Sequence, residues 1–456
     1  MSDPSERDPG ASALLTDLYQ LTMLSAYLAH GMTEVAAFEF FARALPPGRG
    51  FLVAAGLDQV LSFLEHLRCT EDELAWLAAE RRLDARAIDW LARFRFTGDV
   101  DAMPEGTPCF PHEPLLRVTA PLPEAQLVET RIVSLLQLET VVATKAARAV
   151  LVAPGKRLVD FGLRRAHGAE AGLLAARAAY LAGYAGTATV LAGQRFGIPL
   201  FGTMAHSFVQ AHASERLAFE RFARAYPDGA TLLIDTYDTE AGAAKVLALA
   251  DGLRDAGVRI GAVRLDSGDL GAHARRVRRI LDDGGHPEIR IFASGGLDEH
   301  RIARLVADGA PIDGFGVGTS LVTSEDAPAL DCAYKLVEYA GAPRRKRSEG
   351  KATWPGRKQV FRRVDAAGRA CSDVVGLAGD VADGQPLLVP AMRGGRRVPP
   401  TPTLAEARAR CGDALARLPT ALTALDAAAG LPVTIAPSVR ALADEADRLV
   451  REAAAD

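Results

Sequence analysis

The feature that most constrains this chain is an alternation of short apolar runs with helix-like segments between about residues 157 and 317. The runs are 157–161 (RLVDF), 187–191 (TATVL), 198–202 (IPLFG), 231–235 (TLLID), 258–265 (VRIGAVRL), 289–293 (IRIFA) and 312–317 (IDGFGV). Helical patterns such as 240–256, 269–283 and 298–308 follow most of them. Repeated strand–helix units predict parallel strands joined by right-handed crossovers. Nearly every run is followed at once by residues able to do chemistry: Arg164 and Arg165, then Thr203 and His206, Asp235, Asp266 and Ser267, Ser294 to Gly296, and Gly318 to Ser320. An α/β barrel collects its site from the carboxyl ends of many strands, whereas a doubly wound sheet uses only the loops at its switch point. The expected fold is α/β: an irregular (β/α) barrel of parallel strands plus a mixed α+β domain from the N-terminal and C-terminal segments.

The flanks lack this repeat. The first ten residues read as a disordered tail. Thr16 is a plausible N-cap for a helix carrying Leu21, Leu24 and Leu28 on one face and ending at Gly31. A strand is expected over 34–41, helices over 54–95, strands and turns over 96–123, and a long helix from about 129 to 152. Residues 330–400 read as turns and β-structure around a basic run (RRKRSEGKATWPGRKQVFRR), expected to form a solvated hairpin. The remainder reads as helical from about Ser438. The expected domains are 1–128 (mixed α+β), 129–328 (barrel), 329–403 (a basic β-rich segment completing the first domain) and 404–456 (a helical appendage).

Bulk properties exclude several classes. The formal net charge of -4 argues against a nucleic-acid binder. No run is long and apolar enough to span a bilayer, and MSDPSERDPG lacks the basic and apolar regions of a signal peptide, so a cytoplasmic protein is expected. The five cysteines are scattered without a CxxC pair, which points to idle or buried thiols rather than zinc or disulfides.

Two late strand ends carry small residues in tandem: Ser294-Gly295-Gly296 and Gly318-Thr319-Ser320. Such loops let backbone N–H groups approach an anion, and consecutive late loops of this kind match the usual barrel phosphate site. Gly314-Phe-Gly316-Val-Gly318 has the wrong spacing for a dinucleotide loop, and there is no Walker lysine motif. Arg264 could meet a carboxylate or phosphate; Asp266, beside Ser267, could hold ribose hydroxyls or magnesium-bound oxygens. Asp269 is placed to cap the next helix. Arg164 and Arg165 suit a pyrophosphate clamp. His206 could act as a nucleophile toward a phosphoryl group, with Asp235 orienting its ring.

These stretches resemble the nicotinate phosphoribosyltransferase family. Thr16-Asp17-Leu18-Tyr19-Gln20-Leu21-Thr22-Met23 resembles its opening signature, and Gly202-Thr203-Met204-Ala205-His206-Ser207-Phe208 its phosphohistidine segment. Leu233 to Thr239, Val263 to Leu270, Gly316 to Thr323, Tyr334 to Val337 and Lys358-Gln359 match in order and spacing, from about residue 14 to 363. The resemblance implies that nicotinate and 5-phosphoribosyl 1-pyrophosphate give nicotinate mononucleotide and pyrophosphate in NAD salvage. It implies ATP hydrolysis coupled through phosphorylated His206, Mg2+ with the phosphates, and a homodimer sharing its sites. Tyr19, Thr203 and Arg264 match nicotinate contacts, and Thr319 a phosphoribosyl contact; the metal ligands stay unknown. The related nicotinamide family carries an aspartate where this chain has Ala188. Quinolinate-using relatives lack the phosphohistidine segment. A non-catalytic barrel binding phosphorylated ligands is the remaining alternative.

Overall fold

The computed structural model describes residues 12–453. The expected tail over the first ten residues lies outside them. The chain divides into two compact units: Val142–Pro328, and Met1–Val141 together with Ala329–Asp456. The division falls inside one continuous helix, Glu129–Val152, so the change of texture at residue 129 marks the start of an element rather than the border of a unit.

In the unit 142–328, six parallel strands form one curled sheet. Their order is Gly186–Thr187, Arg157–Asp160, Gly314–Val317, Arg290–Ala293, Ile260–Leu265 and Ala230–Leu233. The sheet is a half-barrel, as the repeat predicts. Two expected strands shrink. Within 187–191 only Thr187 is in a strand, and a helix starts at Val190; within 198–202 only Leu200 pairs, by a single bridge to Thr187. Apolar runs need not be strands, so apolarity alone misreads both segments.

The glycines of Gly314–Val317 have a packing cause. A Cβ at Gly314 would lie 2.5 Å from the Phe292 ring, and one at Gly316 would lie 2.5 Å from the Phe161 ring. The aromatic rings stand where these side chains would be, and the strand carries none there. Three of the following helices begin in the same way. Asp238, Asp269 and Asp298 each accept a hydrogen bond from the amide three residues on, at 2.7, 3.0 and 2.6 Å. Each cap fixes the point where the preceding loop must end.

The second unit is built on a seven-stranded antiparallel sheet. Its order is Ala342–Pro343, Cys332–Tyr339, Val35–Ala42, Pro114–Pro121, Asp99–Ala102, Val389–Arg393 and Arg396–Arg397. The first helix runs Leu18–Ala29, buries Leu21 and Leu24, and is followed by Gly31 at φ +66. Asp17 rather than Thr16 stands at its N-cap; the Asp17 carboxylate accepts from Thr130 Oγ1 at 2.9 Å instead of capping. The expected helices over 54–95 are Leu57–His66, Glu71–Ala79 and Ala85–Arg93.

A further sheet orders Gln385–Pro386, Lys358–Val364, Ala370–Leu377 and Val433–Ile435. The basic run is therefore not a solvated hairpin throughout. Lys358 is buried with its ammonium 2.6 Å from Glu39, and Arg362 pairs with buried Asp373 at 2.6 Å. Alternating residues of one strand face inward, and here two inward cations meet buried acids. Residues 404–453 contain the helices Leu404–Ala416 and Pro437–Ala453, but Val433–Ile435 between them joins this sheet parallel to Ala370–Leu377. All five cysteines are free, two of them fully buried.

Candidate active site at the strand carboxyl ends

Strand Ile260–Leu265 delivers Arg264, and the turn after it begins with Asp266. Residues two apart along extended backbone share a face, so the guanidinium and the carboxylate meet: Arg264 Nη2 lies 2.9 Å from Asp266 Oδ1. Arg264 Nε donates to Ser294 Oγ at 2.9 Å, while Nη1 reaches Thr203 Oγ1 at 3.5 Å and the Met204 carbonyl at 3.4 Å. Its guanidinium carbon stands 5.6 Å from the centre of the Phe161 ring. Three strand ends and the segment after Leu200 thus converge on one arginine whose side chain is 12% exposed. Burial pushes the Asp266 carboxyl upward, but the Ser294 hydroxyl and the Arg264 guanidinium outweigh it and hold the group below its ordinary value.

His206 opens the short helix His206–Gln210. Its Nδ1 is 3.1 Å from Thr236 Oγ1 and its Nε2 is 3.9 Å from Asp266 Oδ2. Asp235, read from sequence as the group orienting this ring, sits elsewhere in the cluster. Its Oδ2 accepts from the Asp266 amide at 2.8 Å and from Ser267 Oγ at 2.6 Å, while Oδ1 is buried with no hydrogen-bond partner among the described residues. Asp235 shapes the 266–267 turn, and its neighbour Thr236 holds the imidazole.

The loop Ser294–Gly296 needs its glycines. Gly295 and Gly296 have φ of +90 and +56, and a Cβ on Gly295 would lie 1.9 Å from the Asp266 carbonyl oxygen. Ser294 is buried and donates its hydroxyl to the Asp266 carboxylate. At the next strand end, Gly318 precedes the short helix Thr319–Thr323; Thr319 is exposed, and the buried Ser320 Oγ has no hydrogen-bond partner among the described residues.

Arg164 and Arg165 lie in the single turn Leu163–Arg165, both exposed, with no hydrogen bond or ion pair from their side chains among the described residues. What secures that turn is Asp160, absent from the sequence-derived set. It is fully buried, accepts from the Gly162 amide at 2.8 Å and from Thr187 Oγ1 at 2.6 Å, and burial pushes its carboxyl upward. Ala188 follows Thr187; it is exposed, and its amide donates to the Asp160 carbonyl at 2.8 Å. Tyr19 belongs to the other unit. It is 47% exposed on helix Leu18–Ala29, so it is not a core tyrosine.

Inside the curl lies a cavity of about 610 Å³. Phe161, Phe201 and Thr203 line it toward the cluster, and Arg157, Arg259 and Arg290 line it toward the amino ends of the strands. Among the described residues, no helix is long and apolar enough to cross a membrane. The cluster offers a forked cation held by two hydroxyls and a carboxylate beside an imidazole, and other strand ends of the same sheet carry two arginines without side-chain partners among the described residues and a second loop rich in small residues. Such a set can hold a flat carboxylate and several phosphate oxygens at once.

Residues 14–137 match the nicotinate phosphoribosyltransferase (NAPRTase) N-terminal domain, and residues 156–343 match the nicotinate phosphoribosyltransferase (NAPRTase) family. Nicotinate phosphoribosyltransferase pncB2 of Mycobacterium tuberculosis is 51% identical over 94% of this chain and 92% of its own. The human nicotinate phosphoribosyltransferase is 34% identical over 91% of this chain and 93% of its own. Among solved structures, human nicotinic acid phosphoribosyltransferase superposes with a TM-score of 0.86 at 32% identity, covering 94% of this chain and 99% of that one. A nicotinate-nucleotide pyrophosphorylase from Pyrococcus furiosus gives 0.73 at 26% identity, covering 91% and 97%.

Proposed function

The chain belongs to the nicotinate phosphoribosyltransferase family, and we propose that it joins nicotinate to the phosphoribosyl group of 5-phosphoribosyl 1-pyrophosphate, releasing pyrophosphate. The observation that carries this reading is Arg264, held where three strand ends and the segment after Leu200 meet, with Thr203, Asp266 and Ser294 around it. Its planar fork suits the nicotinate carboxylate. The ribosyl centre gains positive character as pyrophosphate leaves, so the reaction calls for positioning and anion stabilisation rather than a strong base. In this reading Ser294, Gly295, Gly296, Gly318 and Thr319 hold phosphate oxygens, Arg164 and Arg165 meet the pyrophosphate, and Asp266 with Ser267 faces the ribose.

ATP hydrolysis coupled through phosphorylated His206 is part of the proposal. The imidazole stands beside Thr236 and Asp266, within the cluster rather than apart from it. Magnesium fits the same place as a partner of the phosphates. Among the described residues no group of three or more His, Cys, Asp or Glu side chains is arranged to hold a metal. Asp235 Oδ1 and Asp266 Oδ2 nonetheless offer one or two carboxylates, which suits an ion bound chiefly by phosphate oxygens and water. When bound, it would neutralise charge on the pyrophosphate. A cytoplasmic homodimer serving NAD salvage, with Tyr19 of each copy stacking on the nicotinate held by the other, completes the reading.

Ala188 favours the acid over the amide, since it places no negative side chain where nicotinate's carboxylate would be repelled. The test is pyrophosphate release with nicotinate, nicotinamide or quinolinate, each with and without ATP. Release with nicotinate that ATP stimulates supports the proposal. Release only with nicotinamide, only with quinolinate, or with none would replace it with the corresponding alternative.

A further inference from the structure

One arginine occupies one side of the tandem-glycine loop at 294–296. Arg301 Nη1 lies 3.1 Å from the Gly295 carbonyl oxygen and 3.1 Å from the Gly296 carbonyl oxygen, donating toward both. In a trans peptide the C=O and the following N–H point in opposite directions. With both carbonyls turned toward Arg301, the N–H groups of Gly296 and Leu297 are turned away from it. No hydrogen bond from the N–H of Gly295, Gly296 or Leu297 is present among the described residues. Successive outward N–H groups on glycines of positive φ form an anion-binding concavity. The guanidinium behind it adds positive potential without occupying it.

The helix that carries Arg301 is itself fixed. Its backbone N–H donates to Asp298 at 2.6 Å, closing the cap. Glu299, two residues earlier and first in the same helix Glu299–Ala307, is buried between Lys145 at 2.8 Å and Arg148 at 2.9 Å. A Cβ on Gly295 would lie 1.9 Å from the Asp266 carbonyl oxygen. The loop is therefore held both by close approach to the turn that follows Arg264 and by a cation on an anchored helix.

We infer that Arg301 is a positioning residue for a phosphate group of the substrate: it holds the 294–296 loop with its N–H donors turned outward to receive an anion. The inference rests on the phosphoribosyl reading for the identity of that substrate, but not for the geometry of the loop. Inorganic pyrophosphate is the probe, titrated calorimetrically into the full-length wild type and the Arg301→Ala, Arg301→Gln and Arg301→Lys variants. Loss of a charged donor shared by two carbonyls predicts pyrophosphate binding weakened by about tenfold or more in Arg301→Ala and Arg301→Gln, with partial recovery in Arg301→Lys. In steady state, the KM for 5-phosphoribosyl 1-pyrophosphate rises in parallel, while that for nicotinate stays within about twofold.

Wild-type pyrophosphate affinity in the Ala and Gln variants would overturn the inference. So would equal losses for both substrates, which mark a general disturbance; thermal melts and the Lys variant keep that outcome readable if the Ala variant fails to fold. A wild type that turns over nicotinate while Arg301 proves irrelevant leaves the functional proposal standing. Arg301-dependent pyrophosphate binding in a protein that never makes nicotinate mononucleotide sinks the proposal and leaves the inference.

Discussion

Arg264 Nη2 and Asp266 Oδ1 stand 2.9 Å apart although both belong to one strand end, and each is also bonded to Ser294 Oγ. The three side chains form a closed polar triangle that presets the guanidinium before any ligand arrives. Removing the arginine leaves a half-buried carboxylate with a hydroxyl alone. Arg264→Ala is expected to raise the KM for nicotinate by about one to two orders of magnitude, from loss of a charge-assisted hydrogen bond of about 1.5–3 kcal/mol. Initial-rate kinetics with nicotinate varied will show it, and an unchanged KM rejects the role.

His206→Ala is expected to abolish ATP-stimulated turnover without lowering the melting temperature, since the ring is partly exposed and among the described residues makes one hydrogen bond, to Thr236, and one long ion-pair contact, to Asp266. Thr236→Val removes the group at Nδ1 but keeps the imidazole. Its ATP-coupled rate is expected to fall by about tenfold, the value of one orienting hydrogen bond. A Thr236→Val enzyme coupled as well as wild type would show that the ring needs no such support.

Substrate choice can be tested at Ala188, which is exposed beside the buried Asp160–Thr187 pair. Ala188→Asp is expected to shift the ratio of kcat/KM values toward nicotinamide by about tenfold or more, because a carboxylate repels the acid and can accept from the amide. Competition between the two substrates, followed by chromatography of the products, measures the ratio. An unchanged ratio places discrimination at other residues.

The loop glycine gives a stability test. At Gly295 any side chain meets the Asp266 carbonyl oxygen, and the backbone is in a conformation that L-residues resist. Gly295→Ala is expected to lower unfolding free energy by about 1–3 kcal/mol and to depress activity further. Denaturant unfolding of the two proteins compares them; equal midpoints would mean that the loop shifts freely.

A pH effect arises in the unit that does not hold the cluster. Glu113 is fully buried, with its Oε2 accepting from the Phe110 amide at 2.9 Å. Burial pushes its carboxyl well above the ordinary value of 4.5, and neighbouring Asp373 adds to this. A carboxyl that keeps its proton when folded but loses it when unfolded stabilises the fold fully below about 4.5. That contribution is lost as pH rises from there toward the raised native value. Wild type is therefore expected to lose stability relative to Glu113→Gln by up to about 1.4 kcal/mol per pH unit across that window. Parallel stability profiles for the two proteins would reject a protonated Glu113.

Much of this was legible in the sequence because the barrel writes its plan periodically. Strand ends, caps and small-residue loops recur in register with the apolar runs, so Arg264, His206, Asp266 and Ser294 could be picked out before their distances were known. Asp269 caps its helix as its place before Leu270 suggested. What escaped were residues whose importance lies in direction. Nothing local distinguishes Asp235 from Thr236 as the partner of His206, since both follow the same strand and the geometry of the loop decides. Asp160 looked like the end of an apolar run, and Arg301 like any helix-surface arginine; their partners sit on other segments. The strand Val433–Ile435 was hidden for the same reason, because a three-residue strand owes its existence to the neighbour it pairs with.

The seven-stranded sheet has a consequence for how the polypeptide is made. Its strand Val35–Ala42 pairs on one side with Cys332–Tyr339, and a hydrogen bond from Gly394 to Asp99 in the same sheet joins groups 295 residues apart. A ribosome therefore releases the early strands long before their late neighbours emerge, and leaves them with open hydrogen-bonding edges throughout synthesis of the intervening 142–328 segment. A nascent chain stalled near residue 328 would carry those edges uncovered, which makes that length the one most in need of a chaperone.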